Sequence, residues 1–553
     1  MATLKAPLTA ILLHYKGFHH LPPNISSTNK HSTGFPSLHL KRSPKIRASS
    51  STKEQENFRP LADFPQDIWG DHFISLSLSD SKFKSDSEQT EVLKEEVKQM
   101  LMSCSDSVDK IKSTLKSNWI KFSMDTLISL RKMTTIYVLL QMHSGHLDNM
   151  VTRCLLVFKN KDGRFKESLL GDTEAILSLY EAAHLRMHGE PTLDEALAFT
   201  KTHLESLVAN SNTQHHNYRH IRNSLKQPFH FGMPRLEARK YVDVYESQGG
   251  GIDTLLKFAK TDYDRVQFMH QEELREISKW WKETNIPSKL TYIRNRIVEI
   301  YFWTVAISFE PHHARARIWH SKQLMLLSVI DDTYDAYGTP EEHQLFTKAI
   351  ERWNYIALDE LPEEMKPVYK ALLDVVCEYE KVVVAEGRYF SVMYTKEAEY
   401  NTSSHVTTGV TVMLAATYMG MGEVAGAKEF EWLFSVPRIC RATMILARIM
   451  DDIASHEFEQ RRPHIPSIVE CYMKENGVSQ EEATRALLEM VTEGWKDINE
   501  EMMRPNPVPF TIILRVVNIA RLGDVLYRDV DRYTNSVLLK DYITVLFIDP
   551  ITR

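Results

Sequence analysis

Leu324 to Pro340 read LMLLSVIDDTYDAYGTP, and this stretch indicates both the kind of fold and the kind of site. An apolar run, interrupted once by a Ser, leads directly into the acidic segment DDTYD, and a Gly and a Pro follow. Because Asp331 and Asp335 are four residues apart, on a helix they lie one turn apart on the same face. Two such carboxylates can bind Mg²⁺ and leave coordination positions for phosphate oxygens. A solvated helix end gives the same pattern, so the stretch alone leaves both interpretations open.

A second acidic stretch, DDIASHEFE, begins at Asp451 and also follows an apolar run. On a helix Asp451, Ser455 and Glu459 form one stripe of two carboxylates and a hydroxyl, which are oxygen ligands suited to a hard cation. One acidic helix end is common, but two that are each reached from an apolar run favour the facing walls of one cavity. The pair of stretches therefore predicts a metal site more strongly than two unrelated solvated ends.

Three arginines near these stretches are candidates for binding phosphate. Arg294 and Arg296 precede an apolar segment, and Arg448 lies three residues before the second acidic stretch. The guanidinium group donates in a fork that matches phosphate oxygens. Together with metal ions, these arginines would neutralise a departing diphosphate and so assist cleavage of a C–O bond. Each arginine alone is more often part of a surface ion pair.

A carbocation left by a departing diphosphate needs an enclosure that excludes water. Aromatic faces stabilise a cation through the ring quadrupole, and the effect grows when the cation is desolvated. Trp303, Tyr527 and Tyr533 are candidates, although any one of them taken alone fits an ordinary core residue equally well.

Helical periodicity dominates the chain from Ser87 onward, and strand-like alternation is nearly absent. Asp172 and Thr173, for example, are predicted helix caps before an apolar stripe. A chain of 553 residues exceeds a single core. We therefore predict an all-α fold of two helical domains, an N-terminal one over residues 56–262 and a C-terminal, site-bearing one over residues 263–553.

Composition limits the class of protein. The chain is 43% hydrophobic and 25% charged, with a net charge of −6, and it has no clustered basic face that would favour nucleic acid. No apolar run is long enough for a membrane span. The five cysteines are scattered and never spaced CxxC, which indicates a reducing compartment and no zinc site.

Residues 1–55 have a different composition from the remainder. No acidic residue precedes Glu54, whereas Lys, Arg and Ser are frequent. A basic, Ser-rich and acid-free segment is typical of an organellar transit peptide, and an ordinary disordered tail is the alternative. We exclude residues 1–55 from the fold.

Taken together, these motifs resemble those of the plant class I terpene synthases, or terpene cyclases. DDTYD matches the DDxxD motif of that family, and DDIASHEFE matches its (N/D)Dxx(S/T)xxxE motif. RPLADFPQDIW, the pair Arg294 and Arg296, and DRYT near the end also match. The resemblance implies an α-barrel-like N-terminal domain without catalytic residues and a C-terminal class I isoprenoid synthase α-bundle.

The same resemblance assigns roles to individual residues. Three Mg²⁺ ions, with Mn²⁺ as a possible substitute, would be bound by the two acidic motifs through Asp331, Asp335, Asp451, Ser455 and Glu459. Catalytic roles in handling diphosphate or facing the reacting chain would fall to Arg294, Arg296, Trp303, Arg448, Asp531 and Tyr533.

Within the family, RPLADFPQDIWGDHF and the closing LFIDPIT look most similar to plastidial diterpene cyclases of the casbene type. This implies a monomeric carbon–oxygen lyase of the chloroplast stroma. Its substrate would be geranylgeranyl diphosphate and its product a macrocyclic diterpene, with casbene expected. A sesquiterpene synthase acting on farnesyl diphosphate is the alternative.

Three features depart from the family pattern. Residues 117–157 lack clean amphipathic periodicity, and residues 398–404 form a short junction where the family has a further helix and its connection. Arg532 stands where the family usually has Gly. The two segments leave open a third interpretation, an inactive homologue produced by altered splicing.

Overall fold

The computed structural model describes residues 63–77, 80–103, 159–210, 218–247, 252–404, 409–461, 466–503 and 505–551. Within these ranges α-helices form the fold, and the β pairing is an isolated bridge between Lys159 and Phe165. The predicted all-α fold is confirmed. The predicted transit peptide, residues 1–55, and the departing segment 117–157 lie outside the described residues.

The helices are numbered here in chain order. They are α1 (Asp80–Ser103), α2 (Thr173–Ala183), α3 (Pro191–Asn210), α4 (Tyr218–Lys226), α5 (Pro234–Ser247), α6 (Asp253–Glu283), α7 (Ile286–Lys289), α8 (Ile297–Ile307), α9 (Ala314–Ala336), α10 (Pro340–Arg352), α11 (Lys366–Ala385), α12 (Tyr389–Ser404), α13 (Val410–Gly420), α14 (Ala427–Phe434), α15 (Arg438–Glu459), α16 (Ile468–Asn476), α17 (Gln480–Glu501), α18 (Phe510–Tyr527) and α19 (Lys540–Phe547).

Helices α2, α3 and α4 pack together around an apolar cluster that includes Ile176, Leu204 and Ile221. The predicted cap at the start of α2 is confirmed, since the Asp172 carboxylate accepts the backbone N–H of Ala175 at 3.0 Å. A carboxylate at this position satisfies a donor that the helix itself leaves unpaired. Helix α1 packs instead against α6 and contributes to the large core of the second half of the chain.

The predicted division at residues 262 and 263 falls inside α6, which runs without a break from Asp253 to Glu283. This helix contacts α1 and α5 as well as α8 and α9, so it belongs to both halves of the molecule. The two-domain division stays a prediction. Among the described helices, none is long and apolar enough to cross a membrane.

Helices α8, α9, α13, α15 and α18 surround the site. Helix α9 carries the acidic stretch and is buried along most of its length. It ends at Ala336, where the N–H of Gly338 donates to the carbonyl of Thr333 at 2.7 Å. A Cβ on Gly338 would lie 2.4 Å from the His343 ring and 3.0 Å from the carbonyl oxygen of Thr333, so this close turn favours Gly. Pro340 then begins α10, and the chain turns where the sequence predicts.

Candidate active site

A cavity of about 260 Å³ lies between α8, α9, α13, α15 and α18. Its apolar lining includes Leu324 and Leu327 on α9 and Met413 on α13. Further along the same face of α9 the lining becomes polar, first with Ser328 and then with Asp331. The spacing of three to four residues keeps these side chains on one face of the helix. The cavity therefore combines an apolar chamber with a charged end.

The two neighbouring carboxylates of the first acidic stretch, Asp331 and Asp332, lie in different surroundings. Asp331 lines the cavity, whereas Asp332 is fully buried behind it. Arg294 donates to Asp332 through its backbone N–H at 2.6 Å and its Nε at 2.7 Å, and to Asp331 through Nη2 at 2.9 Å. Consecutive residues point about 100° apart on a helix, so one carboxylate faces the cavity while the next anchors the arginine.

The second acidic stretch repeats this arrangement on α15. Asp451 lines the cavity, and Asp452 is buried and accepts the backbone N–H of Ile468 at 2.6 Å. Arg448 donates to Asp452 at 2.9 Å and to Asp451 at 3.3 Å. Each wall therefore presents to the cavity one aspartate and one partly buried arginine that is paired with a buried aspartate. We did not predict the roles of Asp332 and Asp452; the signal was the Asp-Asp pair inside an otherwise buried helix.

Burial and pairing set the charge of these groups. Burial raises the pKa of the Asp451 carboxyl to about 7, and Arg448 opposes the rise. Burial alone lowers the pKa of Arg294 and of Arg448, but Asp332 and Asp452 outweigh it and leave both above their ordinary value. Both guanidinium groups are therefore charged near neutral pH. Asp451 can exchange a proton there.

The remaining predicted metal ligands lie along the same two helices and outside the cavity lining. Asp335 is exposed one turn beyond Asp331, and Ser455 is buried one turn beyond Asp451. Glu459 is half-buried, and its Oε2 atom is buried with no hydrogen-bond partner among the described residues. A buried carboxylate oxygen without a donor is costly, and a cation would compensate it.

This donor set can be compared with the coordination that Mg²⁺ prefers. Within the described ranges no three Asp, Glu, His or Cys side chains converge on one point. Mg²⁺ is usually bound by one or two carboxylates together with water and substrate phosphates, not by an all-protein cage. Carboxylates spread along two facing helices fit that mode, so the residues present are compatible with Mg²⁺ bound jointly with an anionic substrate.

The structure does not bring Arg296 to the cavity. Its guanidinium is fully buried and donates to the carbonyls of Pro65 at 2.5 Å, Tyr533 at 3.3 Å and Thr534 at 3.2 Å. Arg296 therefore fastens the segment around Pro65 to the loop that carries Tyr533. Its predicted role in binding diphosphate finds no support in these contacts, because its donors are already engaged by backbone oxygens.

The predicted aromatic residues do meet at the cavity. The rings of Trp303 and Tyr533 lie 4.6 Å apart, and Tyr527 lines the same space. The Tyr533 hydroxyl shares a hydrogen bond of 2.5 Å with Ser328, and the Arg294 guanidinium lies 4.9 Å from the Tyr533 ring. Aromatic faces and an arginine are thus held together at the junction between the apolar and charged parts of the cavity.

Asp531 also lines the cavity, next to these rings. Its Oδ1 accepts the backbone N–H groups of Tyr533 and Thr534, both at 2.9 Å. These bonds close a turn that carries the side chain of Tyr533. The structure therefore brings together the predicted residues Arg294, Trp303, Asp331, Arg448, Asp451, Asp531 and Tyr533.

The cavity has charged aspartate–arginine walls at one end and an apolar chamber at the other. This arrangement suits an enzyme whose substrate has an anionic head group and an apolar chain. The sequence model for the metal-binding domain of the terpene synthase family matches residues 282–401 and 395–497. The model for the N-terminal domain of terpene synthases matches residues 109–225, a range that includes the departing segment 117–157.

Curated relatives and a solved structure agree with these matches. The chain is 40% identical to a chloroplastic casbene synthase of Ricinus communis, over 93% of this chain and 92% of that protein. It is 39% identical to a (−)-germacrene D synthase of Vitis vinifera, over 92% and 98%. Isoprene synthase of grey poplar, solved with three Mg²⁺ ions and dimethylallyl-S-thiolodiphosphate, superposes with a TM-score of 0.72 at 25% identity, over 85% and 98%.

The chain belongs to the terpene synthase family. It is a terpene synthase or cyclase, a lyase class that acts on prenyl diphosphates, and it contains the metal-binding domain of that family. The relatives include a casbene synthase and a germacrene D synthase at nearly equal identity, so similarity alone does not select the substrate or the product.

Proposed function

We propose that this chain is a Mg²⁺-dependent class I diterpene synthase that ionises geranylgeranyl diphosphate and cyclises it to a macrocyclic diterpene, casbene. The observation that carries the proposal is the pair of facing walls, each with one aspartate and one partly buried arginine, above an apolar cavity. Such walls complement a diphosphate, and the cavity complements a prenyl chain.

The chain's own residues prepare the charged end for departure of diphosphate. Arg294 and Arg448 are held in place by Asp332 and Asp452 and stay positively charged near the cavity. Their fixed positive charge favours the transition state in which negative charge develops on the leaving group. The C1–O bond breaks, and its electron pair leaves with the diphosphate.

Metal ligation would come from the two acidic motifs. Asp331 and Asp335 would bind from α9, and Asp451, Ser455 and Glu459 from α15. When bound, three Mg²⁺ ions would supply further positive charge to the diphosphate oxygens, as a Lewis acid does. The isoprene synthase structure with three Mg²⁺ ions supports that number, and Mn²⁺ is a chemically similar substitute.

The apolar part of the cavity protects the carbocation. Trp303, Tyr527 and Tyr533 present aromatic faces, and such faces stabilise a desolvated cation. The far double bond of the prenyl chain attacks C1 and closes the large ring. Proton loss with cyclopropane closure then gives casbene. Among the residues that the structure describes, the cavity lining comes from the region between residues 294 and 533, which supports a non-catalytic N-terminal domain.

Two observations favour geranylgeranyl diphosphate as the substrate. One is the similarity to a chloroplastic casbene synthase, and the other is the basic segment 1–55, which has no acidic residue before Glu54 and is typical of a transit peptide. We accordingly propose that the protein acts in the plastid stroma. That it is a monomer stays a prediction from the resemblance to the family.

A sesquiterpene synthase acting on farnesyl diphosphate is the second candidate. The identity to a germacrene D synthase is 39%, close to the 40% identity to a casbene synthase. An inactive homologue is the third candidate, because the metal-binding match is split into segments that overlap at residues 395–401.

Product analysis tests the proposal. The protein without residues 1–55 is incubated with Mg²⁺ and either geranylgeranyl or farnesyl diphosphate, and the hydrocarbons are identified by mass spectrometry. Asp331→Asn is the control for dependence on the metal motif. A macrocyclic C20 hydrocarbon supports the proposal, and products from farnesyl diphosphate alone refute it. Absence of product and of released diphosphate with both substrates favours the inactive homologue. Sequencing the transcript across residues 398–404 would then show whether the short junction is real.

A further inference from the structure

Arg532 lies in the loop that follows α18, between two residues that line the cavity. Asp531 and Tyr533 both face that space, whereas the Arg532 side chain is not part of the lining. It is only 7% exposed, and it folds back against the end of the helix. A long charged side chain buried at this point needs partners that compensate its charge.

The partners of Arg532 are the last carbonyls of α18. Its backbone N–H donates to the carbonyl of Leu526 at 3.2 Å. Its Nη1 donates to the carbonyls of Val525 at 3.2 Å and Leu526 at 3.5 Å, and its Nη2 pairs with Asp529 at 2.5 Å. The final carbonyls of a helix have no partner within the helix, and they attract a cation. One residue therefore ties the loop to the last turn of α18.

The turn beyond Arg532 holds its own shape. Asp531 Oδ1 accepts the N–H groups of Tyr533 and Thr534, and the carbonyl of Asp531 accepts the N–H of Asn535 at 3.3 Å. Arg296 holds the far side of this turn through the carbonyls of Tyr533 and Thr534, and Ser328 bonds the Tyr533 hydroxyl. The contacts of Arg532 add a separate attachment, which joins the turn to the last carbonyls of α18.

We infer that Arg532 is a positioning residue, which fixes the loop 528–534 so that Asp531 and Tyr533 face the cavity. The effect on turnover rests on the proposed function, whereas the effect on the loop does not. A displacement of about 1 Å in groups that position a substrate can lower the rate by roughly a hundred-fold. Loss of Arg532 is therefore expected to reduce turnover although the residue never contacts the substrate.

Three variants separate positioning from general stability. Arg532→Ala removes all side-chain contacts, and Arg532→Lys retains a cation that can pair with Asp529 but lacks the fork that reaches the carbonyls. Asp529→Asn weakens the ion pair and leaves the carbonyl contacts. Arg352→Ala is the matched control, since Arg352 is an exposed arginine that pairs with Glu360.

Hydrogen exchange followed by mass spectrometry measures the loop directly. In Arg532→Ala we expect the amides of residues 532–535 to exchange about ten-fold faster, with unchanged exchange in residues 510–524 of α18. We expect kcat to fall about ten- to hundred-fold with little change in KM. Arg532→Lys should give intermediate values, and Asp529→Asn and Arg352→Ala should resemble the wild type.

Wild-type exchange in the loop of Arg532→Ala would overturn the inference. Equal acceleration throughout α18 would also overturn it, because Arg532 would then have only a general structural role. If the wild-type protein forms no product, the proposed function fails, but the exchange experiment still decides the role of Arg532.

Discussion

Arg294→Ala tests how strongly the site depends on the pair between Arg294 and the buried Asp332. The substitution removes the Nε bond to Asp332 of 2.7 Å and the Nη2 bond to Asp331 of 2.9 Å. The backbone N–H of residue 294 still donates to Asp332. Breaking a buried ion pair from one side costs about 3–5 kcal/mol, because the remaining charge is left uncompensated. Since one donor remains, we expect a loss near the lower end, about 3 kcal/mol.

The loss should depend on pH in a defined direction. Burial raises the pKa of Asp332, and Arg294 opposes that rise. Without Arg294 the pKa of Asp332 rises further, so the carboxyl becomes neutral at a higher pH and its burial costs less. The deficit in the free energy of unfolding should therefore be smaller at pH 5.5 than at pH 7.5, on the linkage between proton binding and stability.

Urea unfolding followed by circular dichroism measures these differences. Adding Asp332→Asn to Arg294→Ala should recover much of the loss, because a neutral amide replaces the unpaired charge. Arg352→Ala, which breaks an exposed pair, should cost less than about 1 kcal/mol. An unfolding free energy of Arg294→Ala within about 0.5 kcal/mol of wild type would refute the reasoning, since only substitutions at uninvolved surface positions are that mild.

Three further predictions concern the metal site and the packing of the bundle. Because burial raises the pKa of Asp451 to about 7, this group makes the metal-free protein less stable as pH rises from about 4 to 7. Mg²⁺ requires the ionised carboxylate, so its shift of the melting temperature should be larger at pH 8 than at pH 6; equal shifts would contradict this. Glu459→Gln should raise the Mg²⁺ concentration needed for half-maximal activity and leave the melting temperature unchanged, since Oε2 has no protein donor in the described structure. If the Mg²⁺ concentration for half-maximal activity stays the same, Glu459 is not a metal ligand. Gly420→Ala should destabilise the protein by about 1–3 kcal/mol in urea unfolding, because the new Cβ would lie 2.4 Å from the Ala316 Cα. Gly494→Ala is its control, with the nearest atom at 3.7 Å and an expected gain of up to about 1 kcal/mol; similar values for both would contradict the packing argument.

The position of the charged end follows from spacing within single helices. Helical periodicity and the four-residue steps of the acidic stretches place Asp331 on one face of α9 and Asp451 on one face of α15, and both line the cavity. Gly338 and Pro340 likewise predict the end of α9. Gly permits a close turn and Pro fixes its own backbone angle, so both effects follow from residue type without knowledge of the packing.

Contacts between distant segments of the chain decide the features of the site that spacing within one helix does not predict. Arg294 and Arg296 are two residues apart and chemically identical, yet one lies at the cavity and the other binds the carbonyl of Pro65, 231 residues earlier in the chain. No local pattern distinguishes them, because the difference is set by the segment that packs against each one.

The sequence by itself determined the helical class, the two acidic faces and the resemblance to the family, since these depend on residue type and short-range spacing. Only the tertiary structure decided that Asp332 and Asp452 turn inward to hold Arg294 and Arg448. It also decided that Arg532 attaches its loop to the end of α18. Burial of a charged group is stable only where a partner from another part of the chain compensates it, and that partner becomes known only when the elements are packed together.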